Sequence, residues 1–214
     1  SEFMMTDVYN RQYNLPIRAP RSAVVVGVGG VGAWVALELA LIGVDTVFLV
    51  DADVVEETNL NRTPFTMAHI GMSKVSAVAD LIAERRPMCD VTPFECRVEK
   101  LPDYALELLA GSMLFDCRDS ITPIDVPRTI PCGITGGYDG TSVTIHTDPN
   151  PDSIFGAHNV VRYTITPSFV GAPTLIASII VNYVCLSRRT GSTEKVLTFD
   201  LRDIVDVLEN GCNV

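Results

Sequence analysis

An α/β fold, a mostly parallel sheet with helices on both faces, is predicted by three observations. A valine-rich run, Ala23-Val24-Val25-Val26, leads directly into Gly27-Val28-Gly29-Gly30-Val31-Gly32. An alanine- and leucine-rich segment follows from Ala33 to Ile42 and stops at Gly43. A second apolar run, Thr46 to Val50, ends on Asp51. Strand, glycine turn, helix, strand and terminal carboxylate, in that order, open a Rossmann-like sheet. Alternating segments towards the C-terminal part add antiparallel strands.

Each part of this unit has a physical reason. β-Branched valines suit a strand buried on both faces. Gly27 permits the tight turn, Gly29 lets backbone approach a phosphate, and Gly32 lets the helix pack on the strand. The unpaired N–H groups at the helix start face an anion. Asp51 is placed to accept hydrogen bonds from a ribose. This fingerprint says nucleotide, with NAD its commonest reading. A glycine turn with no ligand is the alternative.

The 214 residues allow one large domain or two small ones. Ser1-Glu2-Phe3 before Met4-Met5 reads as a cloning remnant, residues 6–21 as an arm, and residues 22–214 as a single domain. A formal net charge of −10 argues against a nucleic-acid surface but leaves room for a local basic pocket. No signal peptide is seen, and the longest apolar stretch, Ala172 to Leu186, is too short to span a bilayer. The expected setting is the cytoplasm. Six cysteines, at 89, 96, 117, 132, 185 and 212, show no C-x-x-C spacing, so free thiols are expected and zinc is not. His69, His146 and His158 form no metal spacing and are taken as surface or loop residues.

The arm holds Tyr9-Asn10-Arg11-Gln12-Tyr13 and has no strong period. It reads as a solvated tail, with Pro16 and Pro20 giving an extended approach to the sheet. Beyond Arg62 a loop runs to Met72. Ser73 then caps a helix reaching about Arg86, with Val75, Val78, Ala79 and Ile82 on one face. Lys74 lies in its first turn, where a cation opposes the helix dipole. Solvent exposure makes that cheap, and a bound anion, the favoured reading beside a phosphate loop, makes it favourable.

Val91 to Val98 reads as a third strand, and Leu101 to Leu109 as a short helix entered through Pro102. Ser112 to Cys117 is a fourth strand running into Asp116-Cys117-Arg118-Asp119. A carboxylate just past a parallel strand lies where open α/β sheets bind ligands. Asp119 there either holds magnesium or caps the next turn. Strands at 129–135 and 141–147 flank Gly136-Gly137-Tyr138-Asp139-Gly140, a hairpin-like turn signal. A polar, proline-bearing loop occupies 147–167. A hydrophobic helix from Ala172 to Arg188, a strand from Lys195 to Asp200 and a helix from Leu201 to Leu208 complete the chain.

The ordered set Gly27-x-Gly29-Gly30-x-Gly32, Asp51-x-Asp53, Asn59-Leu60-Asn61-Arg62, Lys74 and Asp116-Cys117-Arg118-Asp119 resembles the ThiF/MoeB/HesA family, bacterial relatives of ubiquitin-activating enzymes. The likeness runs from Tyr9 to about Phe199. It is more specific than the glycines, because the Asn-x-x-Arg and lysine elements have no role in a dehydrogenase. It implies adenylation by ATP of the C-terminal carboxylate of a ubiquitin-like protein or peptide, with release of pyrophosphate. It implies that Asp51 binds the ribose and that Asp53 counts among the nucleotide-binding residues. Asn59, Arg62 and Lys74 contact the phosphates and Asp119 holds Mg²⁺. Arg11 reaches the site of a second subunit, which makes the expected state a homodimer with composite sites.

Differences from the family are specific. Thr63 stands where Gln is common, the segment after Asp119 is short, and paired zinc cysteines are absent. The loop before Gly171-Ala172-Pro173 has Tyr163, Ile165 and Thr166 and no cysteine, so no thioester step is expected there. Cys132 and Cys185 are read as buried, inert thiols. Two other classes are weighed. An NAD-dependent oxidoreductase explains Gly27–Gly32 and Asp51 but leaves Arg62, Lys74 and Asp119 without roles; tight NAD binding without ATP binding identifies it. A non-catalytic nucleotide-binding subunit of a heterodimer is identified by activity that appears only with a larger partner.

Overall fold

A computed structural model of the chain describes residues 5–119, 134–147, 167–187 and 195–211. The described strands form one seven-stranded sheet in the order β3-β2-β1-β4-β5-β6-β7. These are β1 (Ser22–Val26), β2 (Thr46–Val50), β3 (Asp90–Phe94), β4 (Met113–Asp116), β5 (Ile134–Asp139), β6 (Ser142–His146) and β7 (Val196–Asp200). Strands β1 to β5 pair in parallel, and β6 and β7 are added antiparallel. The helices are α1 (Gly30–Ile42), α2 (Lys74–Arg85), α3 (Asp103–Leu109), α4 (Gly171–Leu186) and α5 (Leu201–Asn210).

Alternation along the parallel strands divides the core into two layers. Ala23, Val25, Val47, Leu49 and Phe115 face α1, α2 and α4. Val24, Val26, Phe48, Val50 and Leu114 face the other way, towards Leu109 of α3 and Leu101. Apart from Glu38, helix α1 carries no charged residue and is apolar on every side, as suits a helix covered on several sides. It lies on the sheet between α2 and α4. It ends at Gly43, whose φ of 108° is the left-handed cap that glycine adopts without a Cβ penalty. The Ser73 hydroxyl accepts the Ser76 N–H and caps α2, as its position predicts.

Several expectations need correction. Gly136 and Gly137 lie inside β5, and the hairpin turns at Gly140 instead. The reason is tertiary: a Cβ on Gly136 would sit 2.7 Å from Ile176 Cγ2 and 3.0 Å from Ile180 Cδ1, so the missing side chain lets α4 lie close to the sheet. The arm is no solvated tail. Met5–Gln12 forms a 3₁₀ helix. Gln12 Nε2 donates to the Ile42 carbonyl at 2.9 Å, and the Arg86 guanidinium lies 5.4 Å from the Tyr9 ring centroid. His69 and His146 are buried rather than surface residues. Strand β3 stops at Phe94, and Val98 belongs to a following 3₁₀ turn. Pro93, which has no N–H to donate, is tolerated because β3 is an edge strand. The readings placed on 148–166, His158, Cys132 and Cys212 lie outside the described residues.

Candidate functional site

The strand order reverses between β1 and β4: β2 and β3 extend to one side of β1, and β4 to β7 to the other. A crevice at such a switch point, beyond the carboxyl ends of the strands, is where open α/β sheets take ligands. One lip is the loop 27–29 after β1, and the other is 117–119 after β4. Both lips depend on glycine packing. Gly27 has φ 82°, and a Cβ there would meet Arg118 N at 2.9 Å. A Cβ on Gly32 would fall 1.7 Å from the Gly27 carbonyl oxygen. These two glycines therefore shape the loop by contact with protein. Gly29 differs, because no atom of the described residues lies within 4 Å of the Cβ position. That open space stands at the start of α1, where the N-cap residue, Gly29, has no side chain to cap the helix. Free N–H groups and the positive end of the helix dipole make it a fit for phosphate.

Asp51 closes β2 as expected, and its carboxylate is already engaged. Oδ2 accepts the Val28 N–H and Oδ1 accepts the Asp53 N–H, both at 2.8 Å. It ties the glycine loop to the loop after β2. Each oxygen keeps a lone pair for a ribose hydroxyl.

Lys74 is not solvent-exposed; its side chain is 13% accessible. Nζ lies 3.2 Å from Asp53 Oδ2, and the Lys74 N–H donates to the Asp53 carbonyl. Asp53, expected beside the nucleotide, is thus the anion that offsets the cation at the start of α2. One of three ammonium donors is used, and two remain for phosphate.

The Asn-x-x-Arg turn is pinned from several sides. The Trp34 indole N–H donates to the Arg62 carbonyl at 2.9 Å. Buried Thr63 donates to the Asn59 carbonyl at 2.8 Å, so the residue that departs from the family's Gln fixes the turn. Asn61 Nδ2 reaches the Ser168 carbonyl before α4. Asn59 Oδ1 accepts the Glu56 N–H, which leaves its Nδ2 as a donor. One terminal nitrogen of Arg62 donates to the Thr58 carbonyl at 2.8 Å, and the Arg62 stem lies along Gly30.

Across the crevice, Asp119 is exposed and makes no ion pair with the described residues. Mg²⁺ is commonly held by one or two carboxylates together with substrate phosphates and water, so a single exposed carboxylate next to the segment that touches Gly27 fits that ion. The turn that Asp119 was alternatively expected to cap lies outside the described residues. Among the described residues no cluster of three metal-ligating side chains occurs.

The structure brings together the glycine loop, Asp51, Asp53, Asn59, Arg62, Lys74 and Asp119, and separates Arg11 from them. The arm docks at Ile42 and Gly43, at the far end of α1. Thirteen helical residues span about 20 Å. The reading of the sequence gave no role to Asp116 and Arg118. Arg118 Nε and a terminal nitrogen bind the two Asp116 oxygens at 2.9 and 3.0 Å, and Glu99 stands 3.5 Å from the other terminal nitrogen. This closed pair braces the lip that carries Asp119. Alternating charges in Asp116-Cys117-Arg118-Asp119 were the available signal.

The described cysteines are free thiols. Burial raises Cys89 and Cys185 to about 11, with Asp90 and Asp45 adding to the effect at Cys89. Burial and then Asp116 push Cys117 up as well, and burial alone raises Cys96. None is poised as a nucleophile near neutrality. No helix among the described residues is long and apolar enough to cross a membrane.

Comparison with known proteins bears on the family and the fold. The ThiF family model matches residues 15–130, more than half of the chain. The tRNA threonylcarbamoyladenosine dehydratase of Escherichia coli K12 is 34% identical over 125 residues, 54% of this chain and 46% of its own length. The molybdopterin-synthase adenylyltransferase of Salmonella typhimurium is 36% identical over 100 residues, 46% of this chain and 39% of its own. The chain thus spans less than half the length of these relatives. Among solved structures, Escherichia coli MccB with ATP superposes with a TM-score of 0.62 over 91% of this chain and 66% of that one, at 17% identity, a likeness of fold. The chain belongs to the ThiF family.

Proposed function

We propose that this chain adenylates a carboxylate with ATP. The carrying observation is the open, uncapped start of α1 at Gly29, with Arg62 and Lys74 on one side and the free Asp119 on the other. In the reaction a carboxylate oxygen attacks the α-phosphorus. A new O–P bond forms, the bond from the α-phosphorus to the bridging oxygen breaks, and pyrophosphate leaves with that electron pair. No proton transfer and no covalent protein intermediate is needed.

Bringing two anions together is the main barrier, and positioned cations lower it. Arg62 offers planar, bidentate contact to phosphate, and Lys74 a mobile point charge. The α1 N–H groups orient the phosphate chain, and Asp51 orients the ribose. Asp119 would hold Mg²⁺, which supplies charge neutralisation to the phosphates. Arg11, distant from its own site, would act on that of a second copy, giving a homodimer. The substrate is the C-terminal carboxylate of a ubiquitin-like protein or peptide, and the reaction stops at the acyl-adenylate in a cytoplasmic setting. Similarity to the tRNA dehydratase favours a second substrate, a carboxylate on a modified tRNA nucleoside. The net charge of −10 weighs against it, because phosphate neutralisation supplies much of tRNA affinity.

Calorimetric titration with ATP·Mg²⁺, NAD⁺ and NADH tests the reading. Arg62→Ala should weaken ATP binding at least about tenfold, the worth of one charge-assisted contact. Asp119→Ala should weaken it only when Mg²⁺ is present. NAD binding without ATP binding, indifferent to both substitutions, refutes the proposal. Pyrophosphate exchange stimulated by peptide carboxylates or by tRNA then separates the two substrates. Mixing Arg11→Ala with Arg62→Ala chains should restore part of the activity if the sites are composite.

A further inference from the structure

Tyr138 belongs to β5, on the opposite side of the crevice from Asp51 in the strand order β2-β1-β4-β5. Its side chain is partly buried and packs against the core under α1. Its hydroxyl oxygen lies only 2.9 Å from where a Cβ on Gly30 would stand; the next nearest atoms to that point are Cδ and Nε of Arg62, at 3.7 Å. The phenol therefore reaches the first turn of α1 at the point where the Arg62 stem crosses it. Gly30 is the residue that leaves room for both.

Among the described residues the hydroxyl makes no hydrogen bond. The hydroxyl is not one of the sealed polar atoms of the described residues, so a bound ligand can reach it. The polar group that shares this point is the Arg62 guanidinium, a donor that can satisfy the oxygen but cannot accept its proton. The hydroxyl proton is left for an acceptor from a ligand, and the positive end of the helix and the Arg62 cation select an anionic one.

We infer that Tyr138 donates a hydrogen bond to a phosphate oxygen of the nucleotide held at the start of α1. This rests on the ATP reading above and extends it to a residue outside the motifs. Tyr138 grips the phosphate chain from the β5 side, opposite the ribose held at Asp51. A phosphate there is held between the hydroxyl and Arg62.

Calorimetry on the whole chain tests it, with ATP·Mg²⁺ and adenosine as separate probes, in wild type and Tyr138→Phe. Phenylalanine keeps the ring and its packing, so the thermal midpoint should stay within about 2 °C. ATP·Mg²⁺ should bind roughly tenfold more weakly, the value of one hydrogen bond to a charged acceptor. Adenosine, which has no phosphate, should bind as in wild type. Equal ATP affinity in both proteins overturns the assignment of Tyr138 alone. So does a parallel loss for ATP and adenosine, which would mark a packing role. Wild-type protein that binds no ATP overturns the proposed function, and the assignment with it. In a double-mutant cycle Gly30→Ala, which pushes its methyl into the hydroxyl, should weaken ATP less in the Tyr138→Phe background than in wild type; fully additive losses count against the contact.

Discussion

Replacing Asp51 with alanine should destabilise the fold as well as empty a ribose contact. The carboxylate accepts two backbone N–H groups at 2.8 Å, from Val28 in the glycine loop and from Asp53 beyond β2. Hydrogen bonds to a charged group contribute about 1.5–3 kcal/mol each. The Asp53 N–H is exposed and can turn to water, so its loss falls at or below the lower end. The Val28 N–H is partly buried beneath the loop, and its loss falls higher. The sum is about 3 kcal/mol. For a chain of this length that lowers the thermal midpoint by roughly 6–12 °C. Asp51→Asn should lose about half as much, since one oxygen still accepts while the amide nitrogen faces an N–H. Thermal unfolding followed by circular dichroism, without nucleotide, measures both. A fall of less than about 2 °C for Asp51→Ala refutes the clamp and leaves Asp51 as a ligand contact only.

Three further outcomes follow from the described geometry. Gly32→Ala places a methyl 1.7 Å from the Gly27 carbonyl oxygen, so the loop or α1 must shift; a loss near the upper end of overpacking, about 3 kcal/mol, is expected in urea unfolding, and a loss under about 0.5 kcal/mol contradicts the packing. Glu38, on α1, is raised above its ordinary 4.5 by burial, partly offset by the Ser178 hydroxyl at 2.7 Å, and its Oε2 is buried with no partner among the described residues. A carboxyl raised in the folded state contributes stability that is present below the unfolded value and lost as pH rises through the folded one. Glu38→Gln should therefore gain on wild type more at about pH 8 than at about pH 4, and a gain independent of pH refutes the buried charge. Cys185 is fully buried and raised to about 11. Iodoacetamide at about pH 8 should leave it unmodified in folded protein and alkylate it after denaturation. Peptide mass mapping reads this, and rapid native labelling would contradict the burial.

The region from β1 to Asp51 was legible because its signals are local. A valine run, a glycine spacing and a capping glycine act within a few residues of where they are read. Ser73 capping α2 and Pro102 opening α3 were legible for the same reason. Errors arose where a distant element decides. Gly136 and Gly137 resemble a turn until α4 is laid against β5. Tyr9 and Gln12 look like a tail until α1 offers Gly43 and the Ile42 carbonyl. Lys74 was given a missing anion because Asp53, 21 positions earlier, is brought beside it only by the path of the chain between β2 and α2. The approach of Tyr138 to Gly30 was out of reach for a related reason. A residue's partners are set by the sheet order, and that order is a property of the whole chain.

The glycine loop serves two kinds of selection that its spacing hides. Gly27 and Gly32 are held by contact with Arg118, Cys117 and each other, so any sequence keeping this sheet must keep them whether or not it binds anything. Gly29 meets no atom of the described residues within 4 Å, so none of them forbids a side chain there and an approaching ligand would. A lineage that abandoned the nucleotide would be free to drift at 29 long before it could drift at 27 or 32. Alanine or serine at 29 beside intact glycines at 27 and 32 would be the mark of a descendant that kept the architecture and retired the chemistry.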